Sequence, residues 1–211
     1  MRITVFGATG GVGQEIVGQA RAAGHEVTVV VRDPDRLPER LDRAAPHTVV
    51  RLDDPAAVRA AVAGRDAVLS GLGSRGRRAN GVAERLTGRI LTSMEAEGAR
   101  RLLVVSAGPV GPEPAGDPLM DRLMRKAVGA VLAELYADLA RMEAALARSA
   151  TDWTAVRPPR LTDGPLTGVY RRLVGGTPRG GRSISRADVA HAMLALTEDP
   201  AAVRQGVGVA Y

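Results

Sequence analysis

Short apolar runs alternate with longer amphipathic stretches along most of the chain. Residues 2–6, RITVF, form a β-rich run. The glycine-rich turn Gly7-Ala8-Thr9-Gly10-Gly11-Val12-Gly13 follows, then a helical pattern to about Ala23, stopped by Gly24. Val27–Val31 is a nearly continuous apolar run between His25-Glu26 and Arg32-Asp33-Pro34, the pattern of a parallel strand buried on both faces. Thr48–Arg51 reads as a third strand. Pro55–Ala63 reads as a helix, capped by Asp54 and carrying Pro55 in its first turn. Ala67–Ser70 is a fourth strand, followed by a loop from Gly71 to Gly76. Val82–Glu97 is a long helix closed by Gly98, and Arg101–Ser106 is a fifth strand.

The second half is less regular. A Gly/Pro-rich loop runs from Gly108 to Pro118. A helical region covers roughly residues 119–149, in one piece or two, and Trp153–Arg157 is a sixth strand. Residues 158–182 are rich in Pro and Gly and read as a substrate-side loop region. Ser185-x-x-Asp188 reads as a capping box that opens a last helix to about Leu196, and Val207–Tyr211 as a final edge strand. Strands and helices alternate with the spacing of right-handed crossovers. The expectation is an α/β, Rossmann-type doubly wound parallel sheet with a small C-terminal substrate-side cap. All 211 residues form one domain in this reading, with 1–106 as the cofactor-binding core and 107–211 woven onto it.

The turn at residues 7–13 carries the chemistry. A strand must bend sharply into a helix there while a pyrophosphate approaches the backbone N–H groups. A Cβ at Gly7 or Gly10 would obstruct the turn or that approach, and one at Gly13 would push the helix off the strand. The helix N-terminus adds about half a positive charge facing the phosphates. Nineteen residues past Gly13, where an NAD-type protein places an acid for the ribose 2′-hydroxyl, stands Arg32. A guanidinium can bracket a 2′-phosphate, so the expected cofactor is NADP(H), with Asp33 beside it softening the preference. Ligands of such sheets lie at the carboxyl ends of the strands. That rule places Asp53 or Asp54 at the adenine edge, Gly71, Leu72 and Gly73 beside the ribose and pyrophosphate, and Ser106, Ala107 and Gly108 near the nicotinamide.

Composition narrows the function classes. There is no cysteine, which excludes disulfides, thiol catalysis and Cys-based zinc sites. His25, His47 and His191 lie far apart without ligand spacing, so no metal is expected. The net charge of +6 comes from scattered arginines, with Lys126 the sole lysine. Aromatics are only 2% of the chain, too few for stacking platforms, which argues against nucleic acid. No apolar stretch is long enough to span a membrane, and no basic leader precedes the first strand. A cytoplasmic location is the expectation from these features.

Gly-Ala-Thr-Gly-x-x-Gly followed by VTVVVRDPDRL resembles the atypical, NAD(P)H-binding branch of the short-chain dehydrogenase/reductase superfamily. RPPRLTDGPLTGVY at 157–170 and ISRADVAHAML further on resemble biliverdin-IXβ reductase/flavin reductase and its bacterial relatives. The resemblance implies a Rossmann domain, NADPH, and hydride transfer to a flat conjugated acceptor such as a flavin or tetrapyrrole. The family's serine at the end of the fifth strand maps to Ser106. The chain departs from the family at Arg160, where a histidine follows the Pro-Pro pair, and at Leu139 and Glu143 on the helix that carries histidines there. The superfamily's Tyr-x-x-x-Lys dyad is also missing: Tyr136 is followed four residues on by Ala140. Carbonyl reduction without that dyad needs another acid. Flavin reduction does not, because N5 accepts hydride directly and solvent can supply a proton.

The candidate catalytic residues are Ser106, Tyr136, Glu143 and Arg160. Tyr136 and Glu143 are seven apart and share a helix face, as acid and base toward a cleft or as a half-buried tyrosine and a surface glutamate. Arg157 and Arg160 flank Pro158-Pro159 and can meet acidic groups of an acceptor or the cofactor phosphates, with Arg157 and Pro158 assigned to the cofactor. Tyr170 can cover a ligand ring or make a loop contact. Met120, Met124 and Met142 suit an adaptable pocket or plain core. Three functions fit: an NADPH-dependent reductase of a conjugated flavin-, quinone- or tetrapyrrole-like acceptor; an isomerase, dehydratase or cyclase of the same fold; and an NmrA-like NADP(H) sensor without turnover. The helical region at 119–149 can pair with a copy of itself, so a homodimer is a further expectation.

Overall fold

The computed structural model describes residues 1–32, 41, 48–73, 79–113, 116 and 127–211. The readings placed on Asp33, His47, Met120, Met124 and Lys126 lie outside these residues. The first half folds as strands β1 (Arg2–Phe6), β2 (Glu26–Val31), β3 (Thr48–Arg51), β4 (Ala67–Ser70) and β5 (Arg101–Val105) with helices α1 (Gly11–Ala22), α2 (Pro55–Val62) and α3 (Val82–Ala96) between them. The second half contributes α4 (Ala133–Arg148), β6 (Asp152–Arg157), β7 (Arg160–Thr162), β8 (Arg171–Val174), β9 (Ser183–Ser185), α5 (Arg186–Leu196) and β10 (Gln205–Ala210).

Among the described residues the main sheet runs β3-β2-β1-β4-β5-β6-β10-β8, parallel except for the antiparallel β10–β8 pair. Two expectations are corrected here. Residues 207–211 were read as an edge strand, yet β10 is interior, because β8 returns along its outer side. Residues 158–182 were read as loop, yet they hold β7 and β8, and β7 pairs with β9 as a separate parallel ribbon. β7 and β9 are three residues each, too short for period-two alternation to show.

Strand periodicity explains the layers. Ile3, Val5, Val27, Val29, Leu69 and Leu103 point to one face and pack with Ile16 and Val17 of α1 and Val189 and Met193 of α5. Phe6, Val30, Val68, Leu102 and Val104 point to the other and pack with Val62, Ile90, Met94, Met142 and Leu146 of α2, α3 and α4. Trp153 joins this second core.

One tertiary contact fixes how α4 sits. α3 begins after Gly81, which is left-handed (φ +62°) and has no side chain to cap the helix. The cap comes instead from α4: the buried Asp138 carboxylate accepts from the backbone N–H groups of Ala83 (2.9 Å) and Glu84 (3.2 Å). Two of the orphan donors at the α3 N-terminus are satisfied this way, and α4 is locked against α3. Leu135, Tyr136 and Leu139 are thereby carried to the mouth of the sheet. Among the described residues no helix is long and apolar enough to cross a membrane.

Candidate functional site

Strand order reverses at β1 and β4, which leaves a crevice at their carboxyl ends. A cavity of about 1180 Å³ opens there and extends across β5 and β6. Its first half is lined by Gly7, Thr9, Gly10, Gly11 and Val12, by Val30–Arg32, by Leu52 and by Gly71–Gly73. Its second half is lined by Val105–Pro109, by Val128, Leu132, Leu135, Tyr136 and Leu139, by Pro158–Leu161, and by Thr177, Pro178, Gly180–Arg182 and Arg186.

The glycine turn is built for close backbone approach. Gly7 sits at φ +76°, and a Cβ there would lie 2.8 Å from the Gly71 carbonyl carbon. A Cβ on Gly13 would lie 2.2 Å from the Gly7 oxygen, and one on Gly71 would lie 3.0 Å from the Gly13 nitrogen. The turns after β1 and β4 and the start of α1 therefore interlock through three glycines. Gly13 forms this junction and is not itself part of the cavity wall. α1 has Gly10 at its N-cap, with no side-chain cap and no acid in its first turn. That end keeps its positive field for an anion, and the phosphates of a dinucleotide fit it. Arg32 lines the cavity, is exposed, and makes no hydrogen bond or ion pair with a described residue. A free guanidinium at that place fits a ribose 2′-phosphate.

Other nominated residues fall elsewhere. Asp53 is exposed and pairs with Arg51 (3.1 Å); Leu52 supplies the cavity wall after β3. The Arg51 hydrogen bond holds the Asp53 carboxyl below the usual range. Gly71, Leu72, Gly73, Ser106, Ala107 and Pro158 all line the cavity, as do Tyr136 and Arg160. Arg157 and Glu143 do not; they form a buried pair behind the wall.

That pair determines what Ser106 offers. The Ser106 hydroxyl donates to Glu143 Oε1 (2.5 Å), and Arg157 Nε donates to the same oxygen (3.1 Å). Arg157 Nη2 donates to Oε2. Glu143 is thus neither a cleft base nor a surface residue. With its proton directed at Glu143, Ser106 turns lone pairs toward the cavity. Gly206 on β10 makes room for this arrangement: a Cβ there would lie 2.2 Å from Arg157 Cζ. Tyr136 differs, since burial raises its phenol and keeps it protonated as a donor at the wall. Its hydroxyl makes no hydrogen bond with a described residue.

Tyr170 is turned away from the cavity and is hydrogen-bonded to His191 Nδ1 (2.8 Å). Ser185 caps α5 by accepting from the Asp188 N–H (2.9 Å), the first half of the expected box. The second half does not form. The Asp188 carboxylate accepts instead from Thr167 N (2.9 Å), Thr167 Oγ1 (2.8 Å), Gly168 N (2.8 Å) and the Tyr211 hydroxyl (2.6 Å). Asp188 is fully buried, and burial alone would raise its carboxyl. The bonds from Tyr211, Gly168 and Thr167 outweigh burial and hold it at about 2. A depressed carboxyl stabilises the fold above its unfolded value of about 3.9, and that contribution is lost as pH falls through 2. The shift corresponds to about 2 kcal/mol. Asp188→Asn is expected to be less stable by about that much at pH 7 and to show a flatter stability curve between pH 4 and 2, read by urea denaturation at each pH. Parallel acid limbs in the two proteins would contradict this.

Sequence reading missed Arg186, Arg182 and the stripe Leu132, Leu135, Leu139. The leucines were visible at helical spacing. Arg186 follows the Ser185 cap and lies across Gly11, where a Cβ would meet its Cδ at 2.5 Å. It also pairs with Asp163.

The comparisons with known proteins agree with this geometry. A short-chain dehydrogenase/reductase of Veillonella parvula, solved in complex with NADP, has a TM-score of 0.81 and 19% identity, covering 100% of this chain and 94% of that one. The anaerobillin reductase ChuY of Escherichia coli O157:H7 has a TM-score of 0.77 and 22% identity, covering 100% and 97%. At these identities the likeness is one of fold. A 39-residue stretch is 54% identical to a 3-diazoavenalumate denitrifying reductase of Streptomyces, covering 18% of this chain and only 13% of that protein. The model of the NAD(P)H-binding family matches residues 7–200, from the first glycine of the turn to just beyond α5, and the chain belongs to that family.

Proposed function

We propose that the protein is an NADPH-dependent reductase that passes hydride to a flat conjugated acceptor of flavin, quinone or tetrapyrrole type. The observation that carries this reading is the continuity of one cavity from the glycine turn to an apolar chamber under α4. NADPH bound at the turn would supply a hydride from its nicotinamide ring. Gly7, Gly10, Gly11 and the α1 N-terminus would hold the pyrophosphate, and Arg32 the 2′-phosphate. Leu132, Leu135 and Leu139 offer one apolar wall and Pro158-Pro159 another, a slot suited to a planar ring. The residues do little covalent chemistry; they stack and orient two rings and keep water from between them. Ser106 would accept a hydrogen bond from the bound pair, Tyr136 would donate one, and solvent would deliver the remaining proton. The NADP complex of the Veillonella parvula protein and the anaerobillin reductase ChuY, both of this fold, support the same reading.

The test is a panel of acceptors, FMN, riboflavin, simple quinones and a linear tetrapyrrole, each mixed with NADPH and catalytic amounts of protein. Sustained loss of the reduced-nicotinamide absorbance with at least one of them is expected. Tight nucleotide binding with no loss across the panel would reject the reductase reading in favour of a sensor. Conversion of a substrate without net loss of NADPH would favour an isomerase or dehydratase.

A further inference from the structure

The charged residues that line the cavity are all arginine: Arg32, Arg160, Arg182 and Arg186, with no acid among the described lining residues. Two of them are accounted for. Arg32 stands where the 2′-phosphate is read, and Arg186 crosses the glycine turn and is countered by Asp163. Arg160 is not accounted for. It is exposed on the cavity wall and makes no hydrogen bond or ion pair with a described residue. Arg182 lines the same wall and immediately precedes Ser183, the β9 residue in register with Arg160 on β7. The exposed Arg160 guanidinium makes this end of the cavity positive.

Position argues that this charge is not for the cofactor phosphates. Arg32 follows β2 and Arg160 follows β6, and β1, β4 and β5 lie between those strands. Four strand spacings amount to roughly 19 Å. The pyrophosphate cradle at β1 and β4 lies about 10–14 Å from β6 on the same count. Around Arg160 the wall is Pro158, Pro159 and Leu161, with the α4 leucines on the chamber. An apolar slot ending in an unspent fork of N–H donors matches a planar body that carries a carboxylate.

Resting on the reductase reading above, we propose that the acceptor is a flat aromatic acid whose carboxylate is bound by Arg160. Arg160 is then a specificity-determining residue, and neutral rings of the same shape bind more weakly.

The experiment uses the full chain saturated with NADP⁺, so that no turnover occurs, and measures binding by calorimetry. The probes are anthraquinone-2-carboxylate and its neutral counterpart, anthraquinone-2-carboxamide. The wild-type protein is expected to bind the acid about tenfold more tightly than the amide, the strength of one charge-assisted bidentate contact. In Arg160→Gln the two affinities are expected to agree within about twofold, and Arg160→Lys to fall between, because an ammonium supplies charge without the fork. Equal binding of the two probes to the wild type, binding of neither, or an acid preference unchanged in Arg160→Gln would overturn the proposal. So would a drop in NADP⁺ affinity in Arg160→Gln with the acid preference intact, which would give Arg160 to the cofactor. An acid preference that depends on Arg160, in a protein that oxidises NADPH with no acceptor, would leave this inference standing and overturn the reductase reading alone.

Discussion

Gly13→Ala is expected to lose about 3 kcal/mol of stability and to bind NADPH at least 100-fold more weakly. A Cβ at this position would stand 2.2 Å from the Gly7 oxygen, 2.7 Å from the Gly7 carbonyl carbon and 2.9 Å from Ala8 Cα. All three are backbone atoms, so no side chain can swing aside. Gly7 cannot retreat either, because it is held at φ +76° against the turn after β4. The strain must be relieved by moving α1 away from β1, and that motion withdraws the helix N-terminus from the place of the phosphates. Gly18 is the internal control. It lies in the same helix with nothing within 4 Å of a Cβ, and Gly18→Ala is expected to stabilise the protein by about 0.5–1 kcal/mol without changing nucleotide affinity. Urea denaturation and calorimetric titration on both variants check the pair. Similar effects at the two positions would mean that the junction is not what fixes the turn.

Arg32→Glu is expected to weaken NADPH about 100-fold while changing NADH by less than about threefold. The guanidinium is exposed and pairs with no described residue, so its removal costs the fold little and any loss falls on the ligand. Two charge-assisted hydrogen bonds to a 2′-phosphate are worth about 3 kcal/mol, and the new carboxylate adds repulsion. A bare 2′-hydroxyl loses neither. Equal effects on both nucleotides would remove Arg32 from cofactor selection.

The cofactor half of the site was legible because its determinants are local. Gly7, Gly10 and Gly13 lie within one turn and one helix start, and Arg32 is set by the length of a single strand–helix–strand unit. The β1-to-β5 framework was legible for the same reason: its strands are apolar runs buried on both faces. What stayed hidden is non-local. Glu143 reads from sequence as a cleft base or a surface glutamate, and only the tertiary fold brings it to Ser106 and Arg157. Asp138 carries no local signal, because the α3 N-terminus it caps, where Gly81 has no side chain, lies more than fifty residues away. Asp188 was read through its neighbour Ser185, whereas its partners lie twenty or more residues away at Thr167, Gly168 and Tyr211. β10 was read as an edge because no sequence signal announces that β8 will return beside it. Asp53 misses the cavity by one residue: in the turn after β3 it is Leu52 that lines the wall, while Asp53 pairs with Arg51.

These corrections change the expected chemistry more than the expected cofactor. In the proposed reading Ser106 accepts a hydrogen bond, Tyr136 donates one, and Arg160 meets an acid. The central claim is that both halves of the cavity work together, with NADPH in one reducing a flat ring in the other. The most direct measurement is an anaerobic single turnover. Protein loaded with one equivalent of NADPH is mixed with an acceptor chosen from the panel, and nicotinamide and acceptor absorbance are followed together. The account predicts that both change at one rate and in equal amounts, and that Arg32→Glu slows the process under subsaturating NADPH. NADPH that stays fully reduced beside every acceptor, while remaining bound, would contradict it.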